Sequence, residues 1–346
     1  MKNKVTFLIP YFGNLPNYFD LFLKSCEYND GYRWIVFTDD KTIHKWPDNV
    51  SRIVMTFDEL KKKIQSKFDF KIEIIEPHKL CDYKPAYGYI FEEYLTNTDY
   101  WGHCDIDTIL GNLDIFLGDL LNCNYDKLFC LGHMEIYKNT YENNRIFMLP
   151  IGKRYLYKES FASSQTTVFD EAGSGLENVN DIFKYYNKLI YTNDYSMNCS
   201  IVPNRFVKVT YSYEKDSFFT EKPKDALYVF NKGNLFRLYK DDKTNKIVQE
   251  DFLYIHLQLR QMKLDNRILD KDNFKILEDR FALIENQNVL NNAVENITIK
   301  EFNSIKRHVV SFRFFKLQIK WKINKLKTIL GKINGKKVSK YNCSCI

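Results

Sequence analysis

Two aspartates one residue apart, Asp105 and Asp107, end an apolar segment in the sequence YWGHCDIDTILG. Two carboxylates at a strand end can both reach a hard divalent cation, and such a cation usually completes its shell with water and substrate phosphates. The pair therefore predicts a metal site that takes a diphosphate. The motif alone has low specificity, because 26 Asp in 346 residues give about two Asp-x-Asp triplets by chance and the chain contains two. The alternative is that both carboxylates cap the turn before Gly111.

An alternation of strands and helices in the N-terminal half predicts the scaffold of this site. Val5–Ile9 and the segments RWIVFTDD and RIVM are apolar and are predicted to be strands. Asn14 is expected to cap a first helix with Pro16 in its first turn, and Thr56 and Glu59 have capping-box spacing at the start of a second. Strands alternating with helices are typical of βαβ units. We therefore expect an α/β fold with a mostly parallel sheet and helices on both faces.

The second half of the chain has a different pattern. RFVKVTYSY, LYVF, LFRLY and DFLYIHLQ are predicted strands, and the middle two form a predicted hairpin around Asn231-Lys232-Gly233-Asn234. These segments indicate an antiparallel C-terminal portion. We assign residues 1–265 to one domain and residues 266–346 to a helical C-terminal extension.

Polar residues follow three of the predicted strands. Tyr11-Phe12-Gly13-Asn14 follows the first, Asp39-Asp40 the second, and Asp105 the strand YWGHC. Open α/β sheets bind ligands beyond the carboxyl ends of their strands. If these three ends are neighbours, they form one crevice.

Four segments, LIPYFG, FTDD, KLCDYKPAYGYIFEEY and YWGHCDID, occur in the order and spacing seen in glycosyltransferases of the GT-A fold. Over residues 1–260 the chain resembles in particular a family of bacterial enzymes encoded with capsule and lipopolysaccharide synthesis. The resemblance implies a GT-A-like, Rossmann-like domain whose Asp-x-Asp holds Mn²⁺ or Mg²⁺ against a nucleotide diphosphate. Asp105 and Asp107 are then the expected metal ligands, with Asp105 also contacting the donor. The expected donor is a nucleotide sugar, most simply a UDP-sugar.

The same resemblance implies donor-binding roles for five further residues. Tyr11 and Phe12 would lie beside the nucleotide base and Asp39 near the base or ribose, while Asp82 and Lys84 would contact the donor sugar and phosphate. An ordinary acidic turn is the alternative for Asp39, and a solvent-facing lysine is the alternative for Lys84.

Three histidines are candidates for the same site. His256, in YIHLQLR, stands where GT-A enzymes commonly supply a third metal ligand, and an imidazole would favour Mn²⁺ over Mg²⁺. The alternative is a structural histidine among apolar residues. His103 is expected to support the acidic pair from the opposite side of its strand to Cys104. His133 is expected either to face the acceptor or to pack in the core.

Asp170 and Glu171 end the segment TTVFDE, which is predicted to be another strand. Because inverting sugar transfer needs a general base for the acceptor hydroxyl, these two acids are the candidate catalytic residues. The Gly173-Ser174-Gly175 sequence that follows suits a plain loop equally well, and a retaining enzyme needs no such base. Both alternatives remain open.

Composition sets limits on the class of protein. Eight cysteines without a CxxC pair indicate reduced thiols rather than a disulfide or zinc framework. The N-terminal apolar run is short for a signal peptide, and no stretch approaches the roughly 20 apolar residues of a membrane span. We therefore expect a cytoplasmic protein, either free or peripheral at the inner face of the plasma membrane.

The net charge of +7 is concentrated near the C-terminus, where residues 306–340 contain twelve Lys or Arg and no acid. Apolar residues at spacings of three and four predict a basic amphipathic helix over residues 305–335. Such helices lie on anionic membranes, which would bring the enzyme to a surface-glycan acceptor such as a lipid-linked capsule or lipopolysaccharide oligosaccharide. Packing on the protein's own domain is the alternative. Nucleic acid is not expected, because no recognised motif accompanies the charge.

The predicted function is metal-dependent glycosyl transfer, and two other functions remain open. Sugar-phosphate nucleotidyltransferases usually have a glycine-rich basic loop after the first strand, whereas IPYFGNLPNYF has one glycine and no basic residue. A non-catalytic membrane-binding module, with acids that only form turns, is the other alternative.

Overall fold

The computed structural model describes residues 3–200, 205–212, 214–215, 217–241, 243–258 and 260–284, together with residue 319. The α-helices of this part are α1 (Phe19–Glu27), α2 (Phe57–Gln65), α3 (Tyr87–Ile90), α4 (Leu113–Leu117), α5 (Leu156–Phe161) and α6 (Val179–Tyr185). Short 3₁₀ helices cover Pro77–Ala86, Glu92–Tyr94, Leu120–Asn122, Ile146–Met148 and Asn266–Ile268.

The strands of the N-terminal half are β1 (Asn3–Pro10), β2 (Tyr32–Thr38), β3 (Val50–Val54), β4 (Thr98–Cys104), β5 (Thr108–Leu110), β6 (Lys127–Leu128), β7 (Met134–Lys138), β8 (Ile190–Tyr191) and β9 (Ser196–Ser200). Those of the C-terminal half are β10 (Arg205–Ser212), β11 (Ser217–Thr220), β12 (Ala226–Asn231), β13 (Asn234–Lys240), β14 (Ile247–Asp251), β15 (Tyr254–His256), β16 (Lys263–Leu264), β17 (Asn273–Ile276) and β18 (Arg280–Ala282).

The first sheet has the strand order β3-β2-β1-β4-β7-β6-β8. β1 pairs in parallel with β2 and β4, and β2 pairs in parallel with β3, whereas β7 is antiparallel to β4 and β6. Phe22 and Cys26 of α1 pack in the apolar cluster on one face, and Leu60 and Ile64 of α2 pack in the cluster on the other. The predicted α/β sheet, mostly parallel and covered on both faces, is confirmed.

The remaining strands form two smaller sheets, β11-β10-β9-β15-β5 and β14-β13-β12-β17-β18-β16. The predicted hairpin is present: β12 and β13 pair antiparallel, and Lys232 and Gly233 between them have φ values of 47° and 82°. Most pairings in the third sheet are antiparallel, as expected for this half.

The start of α1 corrects one sequence prediction. The helix begins at Phe19, later than expected, and no side-chain cap precedes it. The carboxylates of Asp39 and Asp40 instead accept hydrogen bonds from the backbone N–H of Gly13 and of Leu15, at 2.9 and 3.2 Å. These long-range bonds hold the chain after β1 outside the helix, which local propensity could not predict.

The segment TTVFDE is a loop, not the predicted strand. The N–H groups of Thr167 and Phe169 donate to the carboxylate of Asp82 rather than to a neighbouring strand. Val168 between them has a φ of 56°, which a strand does not accommodate.

The start of the C-terminal extension, predicted to be helical from residue 266, also differs from the prediction. Residues 273–276 form β17, which pairs with β12, so the first part of residues 266–346 belongs to the third sheet and not to a helical extension. Their alternating burial has the period of two that is typical of a strand. The amphipathic helix predicted over residues 305–335 lies outside the described residues, apart from residue 319.

The segment DFLYIHLQ is split between two sheets. β14 ends at Asp251, and the N–H groups of Phe252 and Leu253 donate to Leu235 and Tyr195. At this break the chain leaves the third sheet, and β15 pairs with β9 and β5 of the second sheet. In the described part of the chain, the helices lack the length and apolar content that crossing a bilayer requires.

Candidate metal-binding active site

A cavity of about 340 Å³ opens beyond the carboxyl ends of β1 and β4. Both apolar and polar residues line it. The apolar ones include Leu8, Phe12, Pro77, Leu80 and Val168, and the polar ones include Lys84, Asp105, Asp107, Asp170, Glu171 and His256. Most of the site residues predicted from the sequence therefore line one cavity.

The turn that carries the two aspartates is fixed by backbone hydrogen bonds. The N–H of Asp105 donates to the carbonyl of His133 at 2.9 Å, and the carbonyl of Asp107 accepts from the N–H of Leu257 at 2.8 Å. The hydroxyl of Thr108 closes the turn by donating to the carbonyl of Asp105 at 2.7 Å. Because neighbouring segments hold the turn from both sides, its position depends on the assembled fold.

His256 reaches the acids from β15, where it is paired with Thr108 of β5. Its Nδ1 lies 3.1 Å from Oδ1 of Asn198, so the Nδ1–H can donate there and leave the lone pair on Nε2. That Nε2 lies 3.4 Å from Oδ2 of Asp107 and 3.9 Å from Oδ2 of Asp105. The sequence did not mark Asn198, because an ordering amide has no motif of its own.

The donor atoms of Asp105, Asp107 and His256 all lie within 4.8 Å of one another, close enough to bind a single ion. Two carboxylates with one imidazole suit Mn²⁺ well, whereas Mg²⁺ prefers oxygen ligands throughout. The residues therefore fit a divalent cation. Its identity remains a prediction.

Lys84 forms the positive counterpart of this site. Its Nζ donates to Oδ1 of Asp105 at 2.8 Å and to the carbonyl of Gly132 at 2.7 Å, and it lies 3.7 Å from Oδ2 of Asp170. Burial disfavours the charged ammonium, but the carboxylates of Asp105 and Asp170 outweigh it and raise the pKa of Lys84 well above its ordinary value. The side chain is only 15% exposed, so the alternative of a solvent-facing lysine is wrong.

Two histidines of the cavity wall, His133 and His256, stack on each other and have pKa shifts in opposite directions. His133 stacks on His256 with 4.4 Å between ring centroids, and its Nδ1 lies 2.6 Å from the hydroxyl of Tyr254. Burial and the adjacent His256 hold the pKa of His133 well below its ordinary value. Burial acts in the same direction on His256, but the carboxylates of Asp107 and Asp105 outweigh it and raise the pKa of His256.

Asp170 and Glu171 both line the cavity. Burial raises the pKa of Asp170 well above its ordinary value, Lys84 opposes the rise, and Glu171 adds to it. The N–H of Gly132 donates to Oε2 of Glu171 at 3.2 Å. A Cβ at Gly132 would lie 2.6 Å from Oδ2 of Asp170, so this close approach requires glycine.

Tyr11 and Phe12 line the cavity on the first strand end. Phe12 packs against Phe57 with 5.4 Å between ring centroids, and the hydroxyl of Tyr11 donates to the carbonyl of Asn14 at 3.2 Å. Burial, with the charge of Asp107 adding to it, raises the pKa of Tyr11. Both aromatic side chains are therefore held at the cavity wall, and their contact with a nucleotide base remains a prediction.

Asp39 and Asp82 are not brought to the cavity wall. Asp39 accepts the hydrogen bond from Gly13 that holds the loop after β1. Asp82 is fully buried, and its Oδ2 lies 2.6 Å from Nζ of Lys79. Although atoms of Asp82, Cys81 and Asp170 also lie within 4.8 Å of one another, Asp82 already has a lysine and two backbone N–H groups as partners. In this structure both acids shape loops beside the cavity.

The sequence model of a family described as "Family of unknown function (DUF6625)" matches residues 7–285. The chain belongs to the DUF6625 family. The match spans β2 to β18 and all the cavity residues named above, so the site lies within the family region of this DUF6625 protein.

Solved structures of a galactosyltransferase, LgtC, are similar to part of the DUF6625 chain. One is LgtC in complex with donor and acceptor sugar analogues, with 9% identity, a TM-score of 0.32, and coverage of 58% of this chain and 77% of the other. An active-site mutant of LgtC gives the same identity and TM-score, with coverage of 58% and 76%. At these TM-scores the likeness assigns neither a fold nor a role to any residue. A comparison with curated proteins gives no match.

Proposed function

We propose that this DUF6625 protein is a metal-dependent glycosyltransferase. It would move a sugar from a nucleotide-sugar donor, most simply a UDP-sugar, to a surface glycan such as a lipid-linked capsule or lipopolysaccharide oligosaccharide. The observation that carries the proposal is the convergence of Asp105, Asp107 and His256, with Lys84 beside them, in the wall of one cavity. The GT-A-like architecture is part of the same proposal.

The lining of the cavity suits the two parts of a nucleotide diphosphate. Phosphates need positive charge, and the polar residues offer Lys84 and a donor set for Mn²⁺ or Mg²⁺. A nucleotide base needs apolar and aromatic side chains, and Tyr11, Phe12 and Pro77 are among those that line the cavity. Because both groups of residues line one cavity, a single ligand can use both.

Asp105, Asp107 and His256 would hold the ion, and Asn198 keeps Nε2 of His256 turned toward the two carboxylates. When bound, a divalent ion supplies Lewis-acid stabilisation of the departing diphosphate. Lys84 adds a positive charge that the chain itself fixes through Asp105. A fixed charge aimed at developing negative charge lowers the barrier without reorganising during the reaction.

Asp170 is the proposed general base for the acceptor hydroxyl, and Glu171 is the neighbouring candidate. A carboxyl group with a raised pKa accepts a proton more readily near neutral pH, and burial gives Asp170 this property. Such a base contributes on the order of 10²- to 10⁴-fold to the rate. This assignment applies to an inverting reaction.

A panel of nucleotide sugars, incubated with the protein and Mn²⁺, tests the function. We expect Mn²⁺-dependent release of the nucleoside diphosphate from one member of the panel and its loss after Asp107→Asn. The matched control is Asp270→Asn, which alters an exposed aspartate of the other Asp-x-Asp triplet and should leave release unchanged. Pyrophosphate release from a nucleoside triphosphate and a sugar phosphate would instead support the nucleotidyltransferase. Absence of metal-dependent turnover and binding would contradict both enzymes.

The sequence of the C-terminal segment supports a further partner, an anionic membrane surface. Twelve basic residues among apolar residues at helical spacing are the reason for this proposal. Truncation after Glu301 is expected to abolish binding to anionic liposomes while leaving UDP binding intact. Retained liposome binding would contradict the membrane role of this segment.

A further inference from the structure

His103 is a buried polar residue at the cavity that the mechanism does not use. It lines the cavity, its exposed fraction is 1%, and its Nδ1 has no hydrogen-bond partner among the residues that the structure describes, whereas its Nε2 faces Glu135. Buried polar atoms are nearly always paired in folded proteins, and an unpaired one is unfavourable. A ligand in the cavity is therefore the partner to consider.

A network of buried charges stands behind this imidazole. His103 on β4 is paired across the sheet with Glu135 on β7, and its Nε2 lies 3.5 Å from Oε2 of Glu135. Oε1 of Glu135 lies 2.7 Å from Nζ of Lys127, and the hydroxyl of Tyr137 donates to Oε2. Lys127 donates in addition to Oδ1 of Asn180 at 2.7 Å. Glu135 is thereby held in one position next to His103.

Such a network is an unusual occupant of the middle of a sheet. Glu135 and Lys127 are both fully buried, and apolar residues of similar size often stabilise a protein as well as a buried ion pair does. The geometry indicates that the network orients the imidazole ring of His103. Since the carboxylate of Glu135 faces Nε2, the proton of the neutral ring belongs there, and Nδ1 is left to pair with a ligand atom.

We propose that His103 is a specificity-determining residue that hydrogen-bonds a hydroxyl group of the transferred sugar. The proposal rests on the proposed function, because it assumes that the cavity holds a nucleotide sugar. A hydroxyl suits the imidazole because it can both donate and accept, whereas phosphate oxygens only accept and have Lys84 nearby. His103 also precedes Asp105, a proposed metal ligand, by two residues on the same segment.

The test uses the UDP-sugar from which wild-type protein releases UDP fastest, or which it binds best. Calorimetry on the full chain in the presence of Mn²⁺ compares the binding of this UDP-sugar with the binding of UDP. We expect His103→Phe to leave the UDP affinity within about twofold and to weaken UDP-sugar binding roughly tenfold, the factor that one ordinary hydrogen bond supplies. His103→Gln keeps a polar atom and should restore part of the difference. If His103→Phe does not fold, deoxy-sugar donors give the same information with wild type and His103→Gln: one deoxy donor should bind wild type roughly tenfold more weakly and show no further loss in the variant.

Tyr100→Phe is the matched control, because Tyr100 lies on the same strand β4, outside the cavity wall and outside the Glu135 network, and its hydroxyl donates to the carbonyl of Leu121 at 3.0 Å. We expect a lower midpoint of thermal unfolding with both affinities unchanged. Equal loss of UDP and UDP-sugar binding in His103→Phe, or no loss of either, would overturn the hydroxyl contact and leave the proposed function intact. Wild-type protein that binds UDP-sugar no better than UDP would do the same. Wild-type protein that binds neither ligand would overturn the proposed function as well.

Discussion

Nε2 of His256 lies 3.4 Å from Oδ2 of Asp107, although one residue belongs to β15 and the other follows β4. The pairing of β15 with β5 sets this distance, and Asn198 sets the direction of the ring. The proposed metal ligands are therefore brought together by the fold itself. Preorganised ligands of this kind are what a functional site needs from its scaffold.

Lys84→Met tests whether this lysine serves the leaving group. We expect turnover to fall by roughly 10²- to 10³-fold, the usual effect of removing one preorganised charge stabiliser. Mn²⁺ affinity should rise, because a positive charge 2.8 Å from Asp105 opposes a second cation there. Steady-state rates and Mn²⁺ titration separate the two effects, and weaker Mn²⁺ binding in the variant would contradict the assigned role.

Gly132→Ala tests the close packing of the acidic pair. The added Cβ would lie 2.6 Å from Oδ2 of Asp170 and 3.1 Å from Oε2 of Glu171, so both carboxylates must move. We expect a loss of about 1–3 kcal/mol in the free energy of unfolding, as for other overpacked sites, together with at least a tenfold loss of turnover. Denaturant unfolding and rate measurements check this.

Gly31→Ala is the control for that substitution, because its Cβ would meet only the flexible side chain of Lys4, at 3.3 Å. Its unfolding and turnover should stay close to those of wild type. If the two alanine variants behave alike, the close approach at Gly132 has no functional importance.

Asp82→Ala should damage folding rather than ligand binding. The substitution leaves the buried ammonium of Lys79 without its carboxylate partner and removes the acceptor for two backbone N–H groups. Breaking such a buried pair costs about 3–5 kcal/mol of unfolding free energy. Asp82→Asn, which keeps an acceptor, should cost less.

Asp58→Ala is a suitable comparison, because its salt bridge to Lys61 is at the surface and its side chain is 76% exposed. We expect a nearly unchanged unfolding midpoint there. A folded Asp82→Ala protein that is stable but fails to bind a nucleotide sugar would support the donor contact implied by the resemblance instead.

The stability of the protein should depend on the charge of Asp194. Burial raises the pKa of Asp194 to about 6, although hydrogen bonds from Ser196 oppose the rise. The folded chain then binds this proton more tightly than the unfolded chain, in which the pKa is about 3.9. The resulting stability is fully present below about pH 4 and is lost as the pH rises through about 6.

Asp194→Asn removes that pH dependence. At pH 7 the variant should exceed wild type by on the order of 2 kcal/mol in unfolding free energy, and the advantage should vanish near pH 4. Urea unfolding at several pH values measures the difference. Asp69→Asn, at a position 87% exposed, is the control and should show no such trend. An advantage of Asp194→Asn that grows as the pH falls would contradict the sign of the effect.

Local patterns in the sequence predicted the regular elements of the fold. The capping box of Thr56 and Glu59 is present at the start of α2, and the hairpin turn at Lys232-Gly233 forms as expected. In both cases the interacting residues are close in the chain. The alternation of strands and helices was sufficient for the α/β class for the same reason.

The features of the fold that the sequence did not predict depend on contacts between residues distant in the chain. The late start of α1 depends on Asp39 and Asp40 from another strand end, and the loop at 166–171 depends on the buried carboxylate of Asp82. The same limit applies to the site, where Asn198 and Gly132 act through residues distant in the chain. Asp105 and Asp107 could be proposed because the motif is local, whereas their meeting with His256 requires the assembled sheet.

Calorimetric titration of UDP into the protein, with and without Mn²⁺, is the most direct test of the metal-bridged diphosphate site. We predict UDP binding that requires Mn²⁺ in the wild type and in Asp270→Asn, and that is lost in Asp107→Asn. UDP binding of equal strength without the metal, or undiminished binding to Asp107→Asn in its presence, would contradict the account.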